Sequence, residues 1–188
     1  LIGEANKGIK AMFIMMNEMR MGTALQGVGL SEASYQKSLY YATERKQGRS
    51  LKGIAEPDKD ADSLLVHADI RRMLLTQRAF AEGGRALSQF CATLLDSVEN
   101  PDNPMSDRQR EESSLLLNFL TPIGKAFCTE TGLESSSLAI QVFGGHGYIR
   151  ESGVEQLYRD GRIATLYEGT TGIQSLDLLG RKVLGSQG

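Results

Sequence analysis

The sequence predicts an all-α protein, an antiparallel up-and-down four-helix bundle. Apolar side chains recur at three- and four-residue spacing over long stretches, the pattern of helices with one buried face. No segment alternates apolar and polar residues cleanly enough to indicate a strand, and the clearest breaker is the asparagine- and proline-rich run at 100–104. Three long helices and a shorter terminal one, joined by connectors, are typical of such a bundle.

The first helix is predicted over about 8–45, and a polar connector over 48–60 follows it. The second helix is predicted from about Asp62 to Val98, with an apolar stripe along its later half. The first helix also carries a methionine cluster, made of Met12, Met15, Met16, Met19 and Met21. Flexible methionine side chains favour adaptable core packing, and a surface wrapped around an acyl chain is the alternative.

The third helix is predicted to begin at Ser106, because a capping residue and acids occupy its first turns. Its apolar face continues to a glycine-rich stretch at 144–147, and Pro122 is expected to kink it. Short helical stretches near 153–160 and 171–184 complete the bundle.

Composition excludes several classes of protein. The 188 residues are 40% hydrophobic and 23% charged with a net charge of −2, which suits one globular domain without a nucleic-acid-binding surface. No apolar run approaches the roughly 18 residues that span a membrane. Cys91 and Cys128 lie in apolar helical patterns and are predicted to be small buried side chains. His67 and His146 lack partners at metal-ligand spacing, so no metal site is predicted.

Glu168 lies just before a predicted helix start, in Thr165-Leu-Tyr-Glu-Gly-Thr-Thr-Gly-Ile-Gln174. Thr171 and Gln174 have the spacing of a capping box, so Thr171 is predicted as the N-cap residue. The first N–H groups of a helix are free to meet a ligand. From these residues alone, Glu168 is either a surface acid that compensates the helix dipole or a positioned base.

Three glycines in four positions end the third helix, in Gln141-Val-Phe-Gly-Gly-His-Gly-Tyr148. Glycine permits left-handed backbone and the close approach of main chain to another molecule. The stretch is also compatible with an elaborate helix C-cap. No strand precedes it, so it does not indicate a dinucleotide-binding Rossmann motif.

Three motifs together resemble the C-terminal domain of acyl-CoA dehydrogenases: Tyr40-Tyr41-Ala42-Thr43-Glu44-Arg45-Lys46-Gln47-Gly48, Gln141-x-x-Gly144-Gly145-x-Gly147-Tyr148 and Tyr167-Glu168-Gly169-Thr170. They come in the family's order, and the resemblance covers most of the chain. It implies FAD and the α,β-dehydrogenation of an acyl-CoA thioester to 2-enoyl-CoA. The ending Thr-Thr-Gly-Ile-Gln resembles the subfamily that acts on long-chain or methylthio-substituted acyl-CoA esters.

The resemblance also implies a domain boundary. Residues 1–8 are similar to the segment that leaves the family's β-domain, and residues 9–188 would form the helical domain. The family's N-terminal helical domain and β-domain would then lie outside this piece. Most of the flavin-ring pocket comes from the β-domain in this family, so the isolated piece is expected to be inactive.

By resemblance, Glu168 is the base that removes the α proton, a task for which desolvation beside flavin and substrate suits a glutamate. Its main-chain N–H would bind the thioester oxygen as part of an oxyanion hole. Tyr167 and Gly169 would line the substrate site, and Thr170 would contact flavin. Arg20 matches an arginine near the base in relatives and is assigned to the substrate site, with an ordinary surface salt bridge as the alternative.

The resemblance places five further residues at the cofactor. Arg45 and Gln47 match positions that reach the FAD pyrophosphate across a subunit interface, where a guanidinium fork meets phosphate oxygens well. Gln141, Gly144 and Gly145 would approach the same cofactor from the neighbouring subunit. Such a shared site implies a homodimer or homotetramer.

Two positions depart from the family pattern. Gly172 stands where many members have a glutamine that contacts the cofactor, and Gly48 stands where phenylalanine is usual after Gln47. The first departure removes a side-chain contact to the cofactor. The second weakens any inference about packing beneath the adenine half of FAD.

The family passes its electrons to electron-transfer flavoprotein, so that protein is the implied partner besides acyl-CoA. Compartments consistent with the resemblance are the bacterial cytoplasm and the mitochondrial matrix. Two alternatives stay open from the sequence. An acyl-CoA oxidase shares fold, flavin and base but reduces oxygen, and a non-catalytic helical oligomerisation module would keep only the fold.

Overall fold

The computed structural model describes residues 3–185, without the side chains of Lys10, Phe13 and Ile14. Its α-helices are α1 (Gly8–Glu44), α2 (Ala68–Glu99), α3 (Asp107–Phe143), α4 (Val154–Gly161) and α5 (Thr171–Leu176), and α5 continues as a π-helix over Asp177–Val183. Short 3₁₀ turns lie at Leu64–Val66, Gly144–Tyr148, Arg150–Ser152 and Arg162–Thr165. Residues 1 and 2 of the predicted segment 1–8, and residues 186–188 of the predicted domain 9–188, lie outside the described residues. Within 3–185, no helix has the length and apolarity needed to cross a membrane.

Contacts between helices fix their directions. Ser31 and Ser34 of α1 lie 3.2 and 3.3 Å from Ser135 and Ser136 of α3, measured between hydroxyl oxygens. Residue numbers therefore increase in the same direction along both helices, so α1 and α3 are parallel.

The other two helices run in the opposite direction. Ile70 at the start of α2 packs near Ala42 at the end of α1, while Arg85 pairs with Glu32 at 2.7 Å. The C-terminal helix is likewise reversed, since Lys182 donates to the carbonyl of Asn118 near the start of α3. The predicted antiparallel four-helix bundle is confirmed, with α4 as an additional short helix.

The helices α1 and α3 meet at glycines. A Cβ atom on Gly27 would lie 2.1 Å from the Cys128 carbonyl oxygen, and one on Gly132 would lie 2.6 Å from the Gly27 carbonyl oxygen. Only hydrogen fits in these positions, so the two backbones touch. Cys91 and Cys128 are buried as predicted, and burial raises the pKa of the Cys128 thiol to about 11.

The connector between α1 and α2 is an organised loop, and α2 begins at Ala68 rather than near Asp62. The Asp62 carboxylate is fully buried and accepts hydrogen bonds from the backbone N–H groups of Ser50, Ala55 and Glu56 at 2.9, 3.1 and 2.8 Å. Arg49 adds a bond at 3.2 Å. A side chain that gathers backbone donors in this way favours a loop over a helix start.

Pro122 does not end α3, which continues through it to Phe143. Proline lacks the N–H that would bond to the carbonyl of Asn118 one turn earlier. The ammonium of Lys182 donates to that carbonyl instead. The predicted site of a kink is thus an anchor point for the C-terminal helix.

The methionine cluster is core packing only in part: Met16 and Met21 are half-buried, and Met21 lies against Gly124 of α3, whereas the other three face solvent. Met12, Met15 and Met19 are 45%, 59% and 49% exposed on the early part of α1. A helix face with several large apolar side chains in solvent is typical of a surface that another part of a protein covers.

The Asp62 loop makes stability dependent on pH. The bonds from Ser50, Glu56 and Ala55 hold the pKa of Asp62 well below its usual range, with Arg49 contributing and burial opposing them. A depressed folded-state pKa stabilises the fold above the unfolded value of about 4, and this stabilisation is lost as pH falls below it.

We therefore predict that Asp62→Asn lowers the free energy of unfolding at pH 7, and that its difference from wild type shrinks as pH falls below about 4. Chemical denaturation over a pH series measures this. Asp60→Asn, in the same loop but exposed, is the control and should change little. If the difference in free energy of unfolding between Asp62→Asn and wild type did not vary with pH, Asp62 would not have a depressed pKa in the folded state.

Gln77 is fully buried, and neither atom of its amide has a hydrogen-bond partner among the described residues. An unpaired buried amide costs about 1–3 kcal/mol. Gln77→Met should therefore raise the free energy of unfolding by up to about that amount. Gln174→Met removes a buried amide that is bonded and should lower it. Destabilisation by Gln77→Met would show that the amide is satisfied.

Candidate functional site

Glu168 occupies strained backbone in the turn between the 3₁₀ turn at Arg162–Thr165 and α5. Its φ is 54°, in the left-handed region that residues with a Cβ adopt rarely. Gly169 follows with φ 92°, and a Cβ there would lie 2.7 Å from the Gln174 amide nitrogen. Strained backbone that the surrounding structure enforces is concentrated at functional sites in proteins.

Two buried side chains hold this turn. The Gln174 amide donates to the carbonyls of Glu168 and Gly169 at 2.9 and 3.0 Å. The Lys125 ammonium donates to the same Gly169 carbonyl at 2.7 Å. Lys125 and Gln174 are 0% and 1% exposed, so all three bonds come from donors that are shielded from solvent, where such bonds are stronger than in water.

The capping of α5 differs from the prediction. Thr170, not Thr171, is the N-cap residue, and its hydroxyl accepts from the Ile173 N–H at 3.4 Å. Gln174 supports the turn instead of completing a capping box. Thr171 donates to the Glu130 carboxylate at 2.6 Å. The cap lies one residue earlier because the left-handed turn ends at Gly169 and leaves Thr170 extended.

The Glu168 side chain is partly buried and accepts no hydrogen bond from the residues the structure describes. Its neighbour Tyr167 is anchored, since the phenol donates to the side-chain oxygen of Gln26 on α1. The carboxylate is therefore held by its backbone while its oxygens remain available to a ligand.

Arg20 does not lie at the surface, so the ordinary surface salt bridge that the sequence left open as an alternative is wrong. It is 2% exposed and pairs with the buried Asp177 at 2.7 Å, joining α1 to the C-terminal helix. Its assignment to the substrate site stays a prediction. The sequence pattern missed the ion pair because Asp177 lies 157 positions away along the chain.

Three of the predicted cofactor residues line one cleft of about 390 Å³: Gln47, Gln141 and Gly144. It lies between the ends of α1 and α3 and the start of α2, and Tyr41 and His67 also line it. The Nε2 atom of His67 lies 2.9 Å from the Gln47 carbonyl oxygen.

The other two cofactor residues lie beside this cleft. Gly145 is exposed, as is Arg45, the C-cap residue of α1. The Arg45 guanidinium forms no ion pair within residues 3–185. Gly144 has φ 60°, and added Cβ atoms on Gly144 and Gly145 would meet open space. A ligand can therefore approach this backbone closely.

The Glu168 turn and the cleft are far apart within one chain. Tyr167 is bonded to Gln26, whereas Arg45 follows the end of α1, about 27 Å further along the helix axis. On α3, Lys125 and Gln141 are separated by about 24 Å. The sequence motifs therefore form two groups of residues at different heights of the bundle.

Sequence reasoning missed Lys125 and the role of Gln174. Lys125 lies in Pro122-Ile-Gly-Lys-Ala-Phe127, where a single lysine interrupts the apolar face of α3. A charged residue at a core position of a helix is itself a signal, because lysine is almost never fully buried without a partner. The sequence gives no indication of the partner, which lies 44 positions away.

Comparison with known proteins places this geometry in a family. Residues 6–184 match the family described as acyl-CoA dehydrogenase, C-terminal domain. The chain is 47% identical over 184 residues to 3-methylmercaptopropionyl-CoA dehydrogenase of Ruegeria pomeroyi, covering 98% of this chain and 30% of that protein. It is 31% identical to the broad-specificity linear acyl-CoA dehydrogenase FadE5 of Mycobacterium tuberculosis, over 100% of this chain and 30% of that protein.

Solved structures share the fold. Caenorhabditis elegans ACDH-11 in complex with C11-CoA matches with a TM-score of 0.82 at 24% identity, over 99% of this chain and 28% of that one. Butyryl-CoA dehydrogenase from Megasphaera elsdenii matches with a TM-score of 0.72 at 24% identity, over 95% of this chain and 39% of that one. The chain spans about three tenths of the length of the curated relatives named above. It belongs to the acyl-CoA dehydrogenase family and corresponds to that family's C-terminal helical domain.

Proposed function

We propose that this chain supplies the catalytic base of an FAD-dependent enzyme that converts acyl-CoA thioesters to 2-enoyl-CoA, and that the base is Glu168. The observation that carries the proposal is the Glu168 turn. The φ of Glu168 lies in the left-handed region, and Gln174 and Lys125 donate hydrogen bonds to carbonyls of the turn. The Glu168 carboxylate accepts no hydrogen bond from the described residues. A family member with this turn has a carboxylate whose direction is fixed before substrate arrives.

The chemistry required of Glu168 is removal of the proton on the α carbon of the thioester. The carboxylate takes that proton onto one of its oxygens while the main-chain N–H of Glu168 donates to the thioester oxygen, which becomes negative as the proton leaves. Bound flavin supplies the acceptor for hydride from the β carbon. Gly169 keeps the space next to the base free of a side chain, and Tyr167 is fixed as a wall of the site by Gln26.

The residues present suit FAD. Arg45 offers an exposed guanidinium of the kind that binds pyrophosphate oxygens, and Gln47 and Gln141 offer amides at the lip of the cleft. The open backbone of Gly144 and Gly145 permits close approach of a ligand. In our proposal these five residues hold the cofactor, and Thr170 contacts it near the base.

We further propose that the site is completed between subunits of a homodimer or homotetramer. The base turn and the cleft lie about 24–27 Å apart along the helices of one chain, and adjacent copies would bring one group to the other. Large apolar side chains exposed on α1 and the C-terminal helix support burial against other parts of the assembly: Met12, Met15, Met19, Leu176 and Leu179. Because most of the flavin-ring pocket comes from the β-domain in this family, residues 1–188 alone are expected to be inactive.

Electron-transfer flavoprotein is the proposed electron acceptor, by analogy with the family. An acyl-CoA oxidase would use the same base, and formation of hydrogen peroxide in air by the intact enzyme distinguishes it. A non-catalytic helical module has no need of the strained Glu168 turn, which favours the enzyme. Because the relative with 47% identity is named for 3-methylmercaptopropionyl-CoA, that thioester is the first substrate to test.

We predict that Glu168→Gln abolishes flavin reduction. The test uses the full-length flavoprotein that carries this domain, mixed anaerobically with 3-methylmercaptopropionyl-CoA or with straight-chain acyl-CoA esters. The wild-type protein should lose its oxidised-flavin absorbance, and the Glu168→Gln variant should keep it. The amide has the shape of the carboxylate but cannot accept the α proton, so the reduction rate should fall by about 10²–10⁴-fold or more.

Glu134→Gln, an exposed carboxylate on α3, is the matched control and should leave the rate unchanged. A wild-type protein that retains FAD but is reduced by none of these esters would count against catalysis and favour the helical module. Equal rates for Glu168→Gln and wild type would show that another group is the base.

A further inference from the structure

We propose that Lys125 is a positioning residue for Glu168, which it orients through the Gly169 carbonyl. Nothing in the motifs assigns Lys125 a role. The inference rests on the proposed function of Glu168 as the base and adds the element that fixes its direction. Lys125 does not touch substrate in this scheme, because its side chain is enclosed in the bundle.

The burial of Lys125 is the first argument. Its side chain is 0% exposed, on the face of α3 that supports the base turn. A buried ammonium is costly unless it is bonded or paired. Within residues 3–185 its ammonium forms one hydrogen bond, to the Gly169 carbonyl at 2.7 Å. A neutral side chain would fill the same space without this cost, so the lysine serves the bond rather than the packing.

The position of the bond is the second argument. Gly169 is the residue directly after Glu168, and the two share the left-handed turn. Pulling the Gly169 carbonyl toward α3 fixes the rotation of the Glu168–Gly169 segment and thereby the direction in which the Glu168 side chain leaves the backbone. Gln174 donates to the carbonyls of both Glu168 and Gly169, so the turn is fixed from α5 as well as from α3.

Charge is the third argument. The pKa of Lys125 is lowered chiefly by burial, with Arg20 of α1 acting in the same direction, whereas Glu130 of α3 and Glu168 raise it. The ammonium and the Glu168 carboxylate therefore attract one another across the turn. Lys125 would thus act on the Glu168 carboxylate through charge as well as through the Gly169 carbonyl.

The test uses Lys125→Met in the full-length flavoprotein. Methionine fills a similar space but has neither donor nor charge. The Gly169 carbonyl keeps its bond from Gln174, so the variant is expected to fold. Lys182→Met is the matched control, because Lys182 is also largely buried and also donates to a carbonyl of α3, at Asn118.

The direct readout is exchange of the α hydrogens of acetyl-CoA with deuterium in heavy water, followed by mass spectrometry. Acetyl-CoA has α hydrogens but no β carbon, so the base can remove a proton and return a deuteron without any oxidation. We expect Lys125→Met to slow exchange and to lower kcat for dehydrogenation by about 10–100-fold with little change in KM or FAD content.

Lys182→Met should lower the melting temperature and leave exchange and kcat as in wild type. Wild-type exchange and wild-type kcat in Lys125→Met would overturn the inference. Equal losses in both lysine variants would also overturn it, since they would reflect the general weakening of the bundle. If Lys125→Met does not fold, Gln174→Met tests the same support, and unchanged exchange in that variant rejects it.

Failure of the proposed function gives a different result. In that case wild type catalyses neither exchange nor flavin reduction, and Glu168→Gln does not differ from it. Wild-type exchange that depends on Glu168 but not on Lys125 leaves the proposed function intact and removes only the positioning role.

Discussion

The contact between the backbones of α1 and α3 at Gly27 and Gly132 is the constraint on which the rest of the structure depends. No side chain larger than hydrogen fits between them, so the two parallel helices are locked in register at this height. That register puts Gln26 and Lys125 within reach of the same turn, where they hold Tyr167 and the Gly169 carbonyl. The Glu168 turn is thus held from both α1 and α3, at the height where their backbones touch.

The same long helices separate the two halves of the candidate site. The long helices place the Glu168 turn at one height and the glycine-rich cleft at another, about 24–27 Å apart, and in the proposed function neighbouring copies bring the two together. The bundle would then act as a spacer that sets where neighbouring copies place their residues. Exposed apolar surface on α1 and the C-terminal helix is consistent with that use of the domain.

Much of the fold follows from local sequence, and the parts that do not are long-range. The capping box at Ser106 and Gln109 forms, and the α1 and α3 limits were predicted from apolar spacing and glycine. The cap at Thr170, the loop around Asp62 and the burial of Arg20 were not, because each depends on a residue or backbone conformation outside the local pattern. Lys125 is the clearest case: its place on an apolar face is visible in the sequence, but its bond to Gly169 spans 44 positions. Of the candidate site, the motifs named the candidate residues and implied that some act across a subunit interface, but they did not give the distance between the two groups.

Complementation between two variants of the full-length protein tests the shared site most directly. Glu168→Gln and Arg45→Ala, each expected to be inactive alone, are co-expressed and purified as a mixed oligomer. If one subunit supplies Glu168 and its neighbour supplies Arg45, each mixed pair contains one site with both native residues, and dehydrogenase activity returns although each variant alone lacks it. If both residues serve the same site from one chain, no mixed site is intact and the mixture stays as inactive as its components, which would contradict a site shared between subunits.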